Sequence, residues 1–147
     1  MADTIIGRAA EQEILRRRIE SESSELIAIY GRRRVGKTFL VRQYFNDAFG
    51  FYSTGIYQGT KKEQLGAFNR QLEYYSGRKW KAAKDWFEAF AQLREYLESL
   101  GGDKPIVVFL DELPWMDTQK GRFIKAFEYF WNSWGAANDR LKLIVCG

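Results

Sequence analysis

Gly31, Gly36, Lys37 and Thr38 fill every fixed position of G-x-x-x-x-G-K-[ST], with Arg32, Arg33, Arg34 and Val35 between them. Each fixed position does a separate job on a triphosphate. Glycine at 31 and 36 lets the backbone take positive φ angles and curl around phosphate oxygens. The amide N–H groups from about Arg33 to Phe39 then point inward as an anion nest. Lys37 would reach the β- and γ-phosphates, and the Thr38 hydroxyl would ligate Mg²⁺. The chemistry implied is capture of a nucleoside triphosphate with its magnesium ion.

The elements around this loop have to be a strand and a helix. Leu26-Ile27-Ala28-Ile29-Tyr30 is a short apolar run ending at Gly31, which reads as a buried strand. Residues 38–45 read as a helix whose N-terminus faces the phosphates. A second run, Ile106-Val107-Val108-Phe109-Leu110, ends in Asp111 and Glu112, the Walker B pattern. Pro105 opens it and Pro114 closes it, positions at strand ends where proline is tolerated. An all-apolar strand implies a sheet covered on both faces, with ligands at the carboxyl ends of its strands. Asp111 would hold the hydrated Mg²⁺ opposite Thr38, and Glu112 would polarise the water attacking the γ-phosphate. The bland readings are a basic glycine turn and a strand capped by solvated acids; the two patterns together argue against both.

Three stretches carry a family resemblance: Ile5-Ile6-Gly7-Arg8-Ala9-Ala10-Glu11, then Tyr30 to Thr38 with its triple arginine, then Phe109-Leu110-Asp111-Glu112-Leu113-Pro114-Trp115. Together they resemble the prokaryotic "archaeal ATPase" family of AAA+-like P-loop NTPases. Residues 141–147 are similar to that family's next core strand. The resemblance implies that Ile5, Ile6 and Gly7 border the adenine, that ATP is the nucleotide, and that the sheet order is 5-1-4-3-2. It also implies contacts between copies of the chain and an arginine supplied by a neighbour. In that family a sensor residue, a fifth core strand, a helical lid and a C-terminal region follow the strand ending at Gly147. On that resemblance residues 1–147 are expected to be a partial P-loop ATPase core, weakly active or inactive by itself.

Composition bounds the rest. The chain has 147 residues, 46% hydrophobic and 29% charged, which suits one globular domain rather than a disordered segment. Apolar runs reach five residues, too short for a transmembrane helix. The N-terminal Met1-Ala2-Asp3-Thr4 lacks a basic and an apolar signal region. A lone cysteine, Cys146, excludes an internal disulfide and fits a reducing cytoplasm. With no histidine, histidine-based zinc sites and histidine triads are excluded. The net charge of +4 supports non-specific polyanion affinity rather than a DNA-binding fold. Part of it belongs to Arg32, Arg33, Arg34 and Lys37, and Arg16-Arg17-Arg18 reads as a solvated helix face.

Periodicity predicts a helix over residues 8–20 with Ile14, Leu15, Arg18 and Ile19 near one side. A second strand is expected over 49–54. Thr60 and Glu63 form a capping box that starts a helix carrying Leu65, Phe68, Leu72 and Tyr75, stopped at Ser76-Gly77. Another amphipathic helix spans 85–100 with Trp86, Phe90, Leu93, Leu97 and Leu100 as its stripe. Phe123, Ala126, Phe127, Phe130, Trp131 and Trp134 recur at spacings of three and four, which marks core rather than a base-stacking platform. Strands alternating with helices predict a three-layer α/β sandwich with a mainly parallel sheet.

The leading expectation is Mg²⁺-dependent ATP hydrolysis in which Lys37 and the nest amides stabilise γ-phosphate charge while Glu112 orients water. No N-K-x-D guanine motif is present. The alternatives are a nucleotide-gated switch with little turnover, against which Glu112 argues, and a module serving a C-terminal DNA-acting region.

Overall fold

The computed structural model describes residues 9–29 and 36–147. The elements run α1 (Ala9–Ile19), β1 (Glu25–Ile29), α2 (Lys37–Phe45), β2 (Phe51–Thr54), α3 (Lys61–Ser76), α4 (Trp86–Glu98), β3 (Ile106–Asp111), α5 (Leu113–Met116), α6 (Phe123–Ser133) and β4 (Leu141–Cys146). The four strands form one parallel sheet in the order β1-β4-β3-β2. Parallel neighbours require crossover connections, and the helices between the strands supply them.

Strand β3 is buried along its whole length, as its unbroken apolar run requires, because both faces of the sheet are covered. Val108 and Leu110 point to one side, into a core shared with Phe68, Leu72, Trp86, Phe90, Leu93, Phe123 and Phe130 of α3, α4 and α6. Val107 and Phe109 point to the other, against Leu15 of α1 and Leu40 and Val41 of α2. This is the three-layer sandwich expected from the sequence. The α6 stripe is core: Phe123, Ala126 and Phe130 are buried, and Phe127, Trp131 and Trp134 pack against them. Among the rings, Trp86 meets Phe123 edge-on at 4.8 Å between centroids.

Local chemistry sets the boundaries. Thr60 accepts from the Glu63 amide while Glu63 accepts from the Thr60 amide, the reciprocal cap expected at the start of α3. Gly77 ends that helix in the left-handed region at φ 74°. Asp85 lies just outside α4 and caps it by accepting from the Glu88 amide. Arg140 ties the end of α4 to the start of β3, donating to the carbonyls of Lys104 (2.8 Å), Leu100 (2.9 Å) and Gly101 (3.0 Å).

Four expectations need correction. Ile14 is 55% exposed and does not join the buried side of α1, which rests on Leu15. Strand β2 begins at Phe51 rather than at residue 49, and α4 ends at Glu98, leaving Leu100 in the following loop. Pro114 does more than close β3: it sits in the first turn of α5, where its missing N–H has no helical partner to lose. The N-terminal adenine-bordering residues Ile5, Ile6 and Gly7, and Tyr30 to Val35, lie outside the described residues.

Candidate functional site

All four strands run in parallel, so their carboxyl ends share one edge of the sheet. The site is built on that edge. Leu110 pairs with Val145, and Ile29 pairs with Cys146. These registers bring the end of β1, Asp111 at the end of β3 and Gly147 after β4 side by side. Helix α2 starts at this edge, and Gly36 precedes it in the left-handed region at φ 76°. Glycine is required there for a tight entry into the helix. No acidic residue occupies the first turn of α2, so its free amides and positive dipole end face the site uncompensated.

Two side chains from α2 reach the ends of β3 and β4. The Thr38 hydroxyl donates to Asp111 Oδ2 at 2.6 Å, although 73 residues separate them. Lys37 Nζ donates to the Gly147 carbonyl at 2.8 Å. Lys37 is only 6% exposed and Asp111 only 4%. Lys37 is thus no exposed loop lysine: it opens α2 and its chain is folded into the sheet edge. The other oxygen of Asp111, Oδ1, accepts from the Glu112 amide at 2.9 Å. That bond fixes the carboxylate plane and turns the chain sharply after the strand.

Glu112 itself stands at φ 50°, ψ 45°, a left-handed conformation rare for a residue with a Cβ. Such backbone strain costs on the order of 1–3 kcal/mol and persists only where neighbours enforce it. The enforcing neighbour is Gly55, just after β2. Its amide donates to the Asp111 carbonyl at 2.9 Å. A Cβ at position 55 would lie 2.4 Å from the Glu112 carbonyl oxygen and 2.9 Å from Trp115 Cβ. The loop after Gly55 is held in turn by Gln64, whose buried amide exchanges two 2.8 Å hydrogen bonds with the backbone of Ile56.

The surroundings are apolar and negative. Burial, reinforced by the nearby Asp111 carboxylate, pushes the Cys146 thiol up to about 12. Tyr52 is raised for the same two reasons in the same order. Among the described residues no three His, Cys, Asp or Glu side chains converge as a self-sufficient metal cage. Thr38 and Asp111 offer two hard oxygen donors, which fits an ion that arrives with a ligand supplying further oxygens.

The structure thus brings together Lys37, Thr38, Asp111 and Glu112, with Gly36 at the turn. Phe39 follows in the first turn of α2. Of the loop, Gly31, Arg32, Arg33, Arg34 and Val35 are outside the described residues. Sequence reasoning missed Gly55 and the Gly147 carbonyl. A glycine directly after a strand was the available signal for the first; no side-chain pattern signals a backbone acceptor.

Comparison with known proteins gives three findings. The family model described as "AAA domain" matches residues 23–127, well over half of the chain. "Uncharacterized ATP-binding protein MJ0423" of Methanocaldococcus jannaschii is 40% identical over 42 residues, which cover 29% of this chain and 71% of that protein. A solved structure, the Walker-type ATPase PABY2304 of Pyrococcus abyssi, has a TM-score of 0.60 and 21% identity and matches 95% of this chain. The chain spans 44% of that structure's length, and a likeness at this identity speaks for the fold.

Proposed function

The chain belongs to the AAA domain family, and from that premise we propose that residues 1–147 form an ATP-binding core that hydrolyses ATP with Mg²⁺. The observation that carries the proposal is the 2.6 Å bond between Thr38 and Asp111. It joins the residue after the phosphate-loop lysine to the carboxylate ending the apolar strand, the two positions where an Mg²⁺ ligand pair is needed. The names of the M. jannaschii and P. abyssi relatives support ATP as the nucleotide.

Each residue has a task in this reading. The α2 amides and the loop before Gly36 bind phosphate oxygens. Lys37 exchanges its bond to the Gly147 carbonyl for the β- and γ-phosphates, a short swing because the ammonium already lies at the sheet edge. Thr38 and Asp111 hold the ion, which neutralises phosphate charge when bound. Glu112, fixed by its own strained backbone, orients the attacking water and accepts its proton.

Calorimetric titration with MgATP tests the binding half. Lys37→Ala is expected to lose detectable binding while circular dichroism stays native. Unchanged affinity would remove Lys37 from the site and with it the proposal. Phosphate release by the parent chain tests the turnover half, and its absence in the presence of tight MgATP binding would favour a nucleotide-gated switch.

A further inference from the structure

Beyond the four cations of residues 32–37, the positive charge of this chain gathers on a second segment. Residues 60–85, covering α3 and the loop to α4, hold seven basic residues against three acidic ones. That excess equals the net charge of the whole chain, +4. The remainder is balanced in sum: Arg32, Arg33, Arg34 and Lys37 belong to the phosphate-loop motif, and the Arg16-Arg17-Arg18 run is neutralised locally. Arg16 pairs with Glu13 and Glu20, Arg17 with Glu13, and Arg18 with Glu25.

On α3 and its loop the acids are engaged elsewhere. Glu63 accepts from the Thr60 amide, Glu73 from the Trp80 amide and Asp85 from the Glu88 amide. Arg78 pairs with Glu95 while lying 3.5 Å above the Trp80 ring, and Lys79 stands 3.7 Å from Glu73. Lys61, Lys62, Arg70, Lys81 and Lys84 make no ion pair among the described residues. Five uncompensated cations on one helix and the loop beside it repel one another unless an anion lies over them.

They also frame space. Lys61, Lys62 and Lys84 rim a recess of about 480 Å³ between α3 and the loop, floored by Leu65 and Ala83. Asn69 lines it, and its buried Oδ1 has no hydrogen-bond partner. One turn further along α3, Arg70, Arg78 and Lys79 rim a second recess of about 500 Å³ that also includes Glu73. The two recesses lie in sequence along a helix of 16 residues, about 24 Å at 1.5 Å per residue. A linear array of cations suits a polymer with regularly spaced charge. A membrane surface would need an apolar stripe as well, and Tyr74 is the only large hydrophobic residue between 60 and 85 that stands exposed.

We propose that the face formed by α3 and residues 78–84 binds the phosphate backbone of a nucleic acid. The face is independent of the nucleotide site in its residues but joined to it mechanically. Gln64, on α3, holds the loop whose first residue, Gly55, fixes Asp111 and Glu112.

Fluorescence anisotropy of the chain with a labelled DNA duplex of about 20 base pairs tests this. With five phosphate contacts the logarithm of affinity should fall against the logarithm of salt with a slope of about −4.5, a loss of about 500-fold between about 50 and 200 mM. The triple variant Lys62→Ala, Lys81→Ala, Lys84→Ala removes three contacts and should flatten the slope to about −2. Arg16→Ala with Arg17→Ala, which removes as much formal charge per site from a paired face, should leave the slope unchanged. MgATP titration of the same variants separates the two readings: the triple variant keeps nucleotide affinity, and Lys37→Ala keeps DNA affinity. Three results would overturn the proposal. They are equal loss in the α1 control, no salt-dependent binding by the parent, and tighter binding to polyglutamate or to vesicles rich in phosphatidylserine than to DNA.

Discussion

Replacing Gly55 with alanine tests how the strained glutamate is held. The added Cβ would stand 2.4 Å from the Glu112 carbonyl oxygen, 2.9 Å from Trp115 Cβ and 3.2 Å from the Met116 amide nitrogen. Two of these neighbours are backbone atoms, so no rotamer change relieves the clash. To reach ordinary contact distance the Glu112 peptide has to retreat by about 1 Å. Overpacking of this kind costs about 1–3 kcal/mol, which lowers the melting midpoint by roughly 3–10 °C in a domain of this size. The Gly55 bond to the Asp111 carbonyl moves with it. A misplacement of about 1 Å at a water-orienting group is worth on the order of 10²-fold in turnover. MgATP affinity, carried by α2 and its preceding loop, should hold. The paired assay is a thermal melt with single-turnover phosphate release. A variant melting within about 1 °C of the parent would refute the packing argument; a destabilised variant hydrolysing within about threefold would show that Glu112 is not the group orienting water.

Glu112→Gln should retain MgATP binding in calorimetry and stop phosphate release, because the amide is nearly isosteric but cannot take the proton. Arg140→Ala removes the donor of three carbonyl bonds and should cost about 2 kcal/mol in urea unfolding with an unchanged m-value. Cys146 is 1% exposed and its thiol is pushed up to about 12 by burial. At pH 8 it should therefore resist a thiol reagent in the native state and react at once in denaturant; fast native labelling would contradict the described burial. The thiolate is the reacting form, so raising the pH from 8 to 9 should accelerate the slow native labelling about tenfold, against about threefold for a free cysteine that is already partly ionised.

Much of the fold was legible because the signals were local and strong. The five-residue apolar run before Asp111 could only be a strand covered on both faces, and it is. The Thr60–Glu63 box and Gly77 bracketed α3 to the residue, since capping is chemistry between neighbours in sequence. Ile14 misled because helical spacing alone does not say which flank of a stripe meets the sheet; α1 is short and Leu15 takes the contact. The pairing of Thr38 with Asp111 was expected from the motif. The burial of Lys37 was not, because it depends on a carbonyl 110 residues away. Gly55 and the left-handed Glu112 belong to the same class. Both follow from the close approach of two crossover loops, which no window of sequence contains.

The edge position of β1 in the described sheet has a consequence for how the site comes into being. Its partner there is β4, so Glu25 must wait for Lys142, and Ile29 for Cys146. At about 5–20 residues per second of synthesis, roughly 6–23 s pass between the appearance of one strand and the other. During that interval β2, α3, α4, β3 and α6 can assemble their own aromatic core, while the segment leading into the phosphate loop has nothing to pair with. The Ser21 and Ser23 carbonyls just ahead of β1 also wait, because their donor is the buried ammonium of Lys142. Arrival of β4 therefore gives β1 its partner in the described sheet, places the Lys142 ammonium against those carbonyls and brings Gly147 to Lys37 in a single event. The contact between Lys37 and Gly147 forms only once β4 has been made, and a nascent chain stopped short of residue 141 should have a folded half and no phosphate grip.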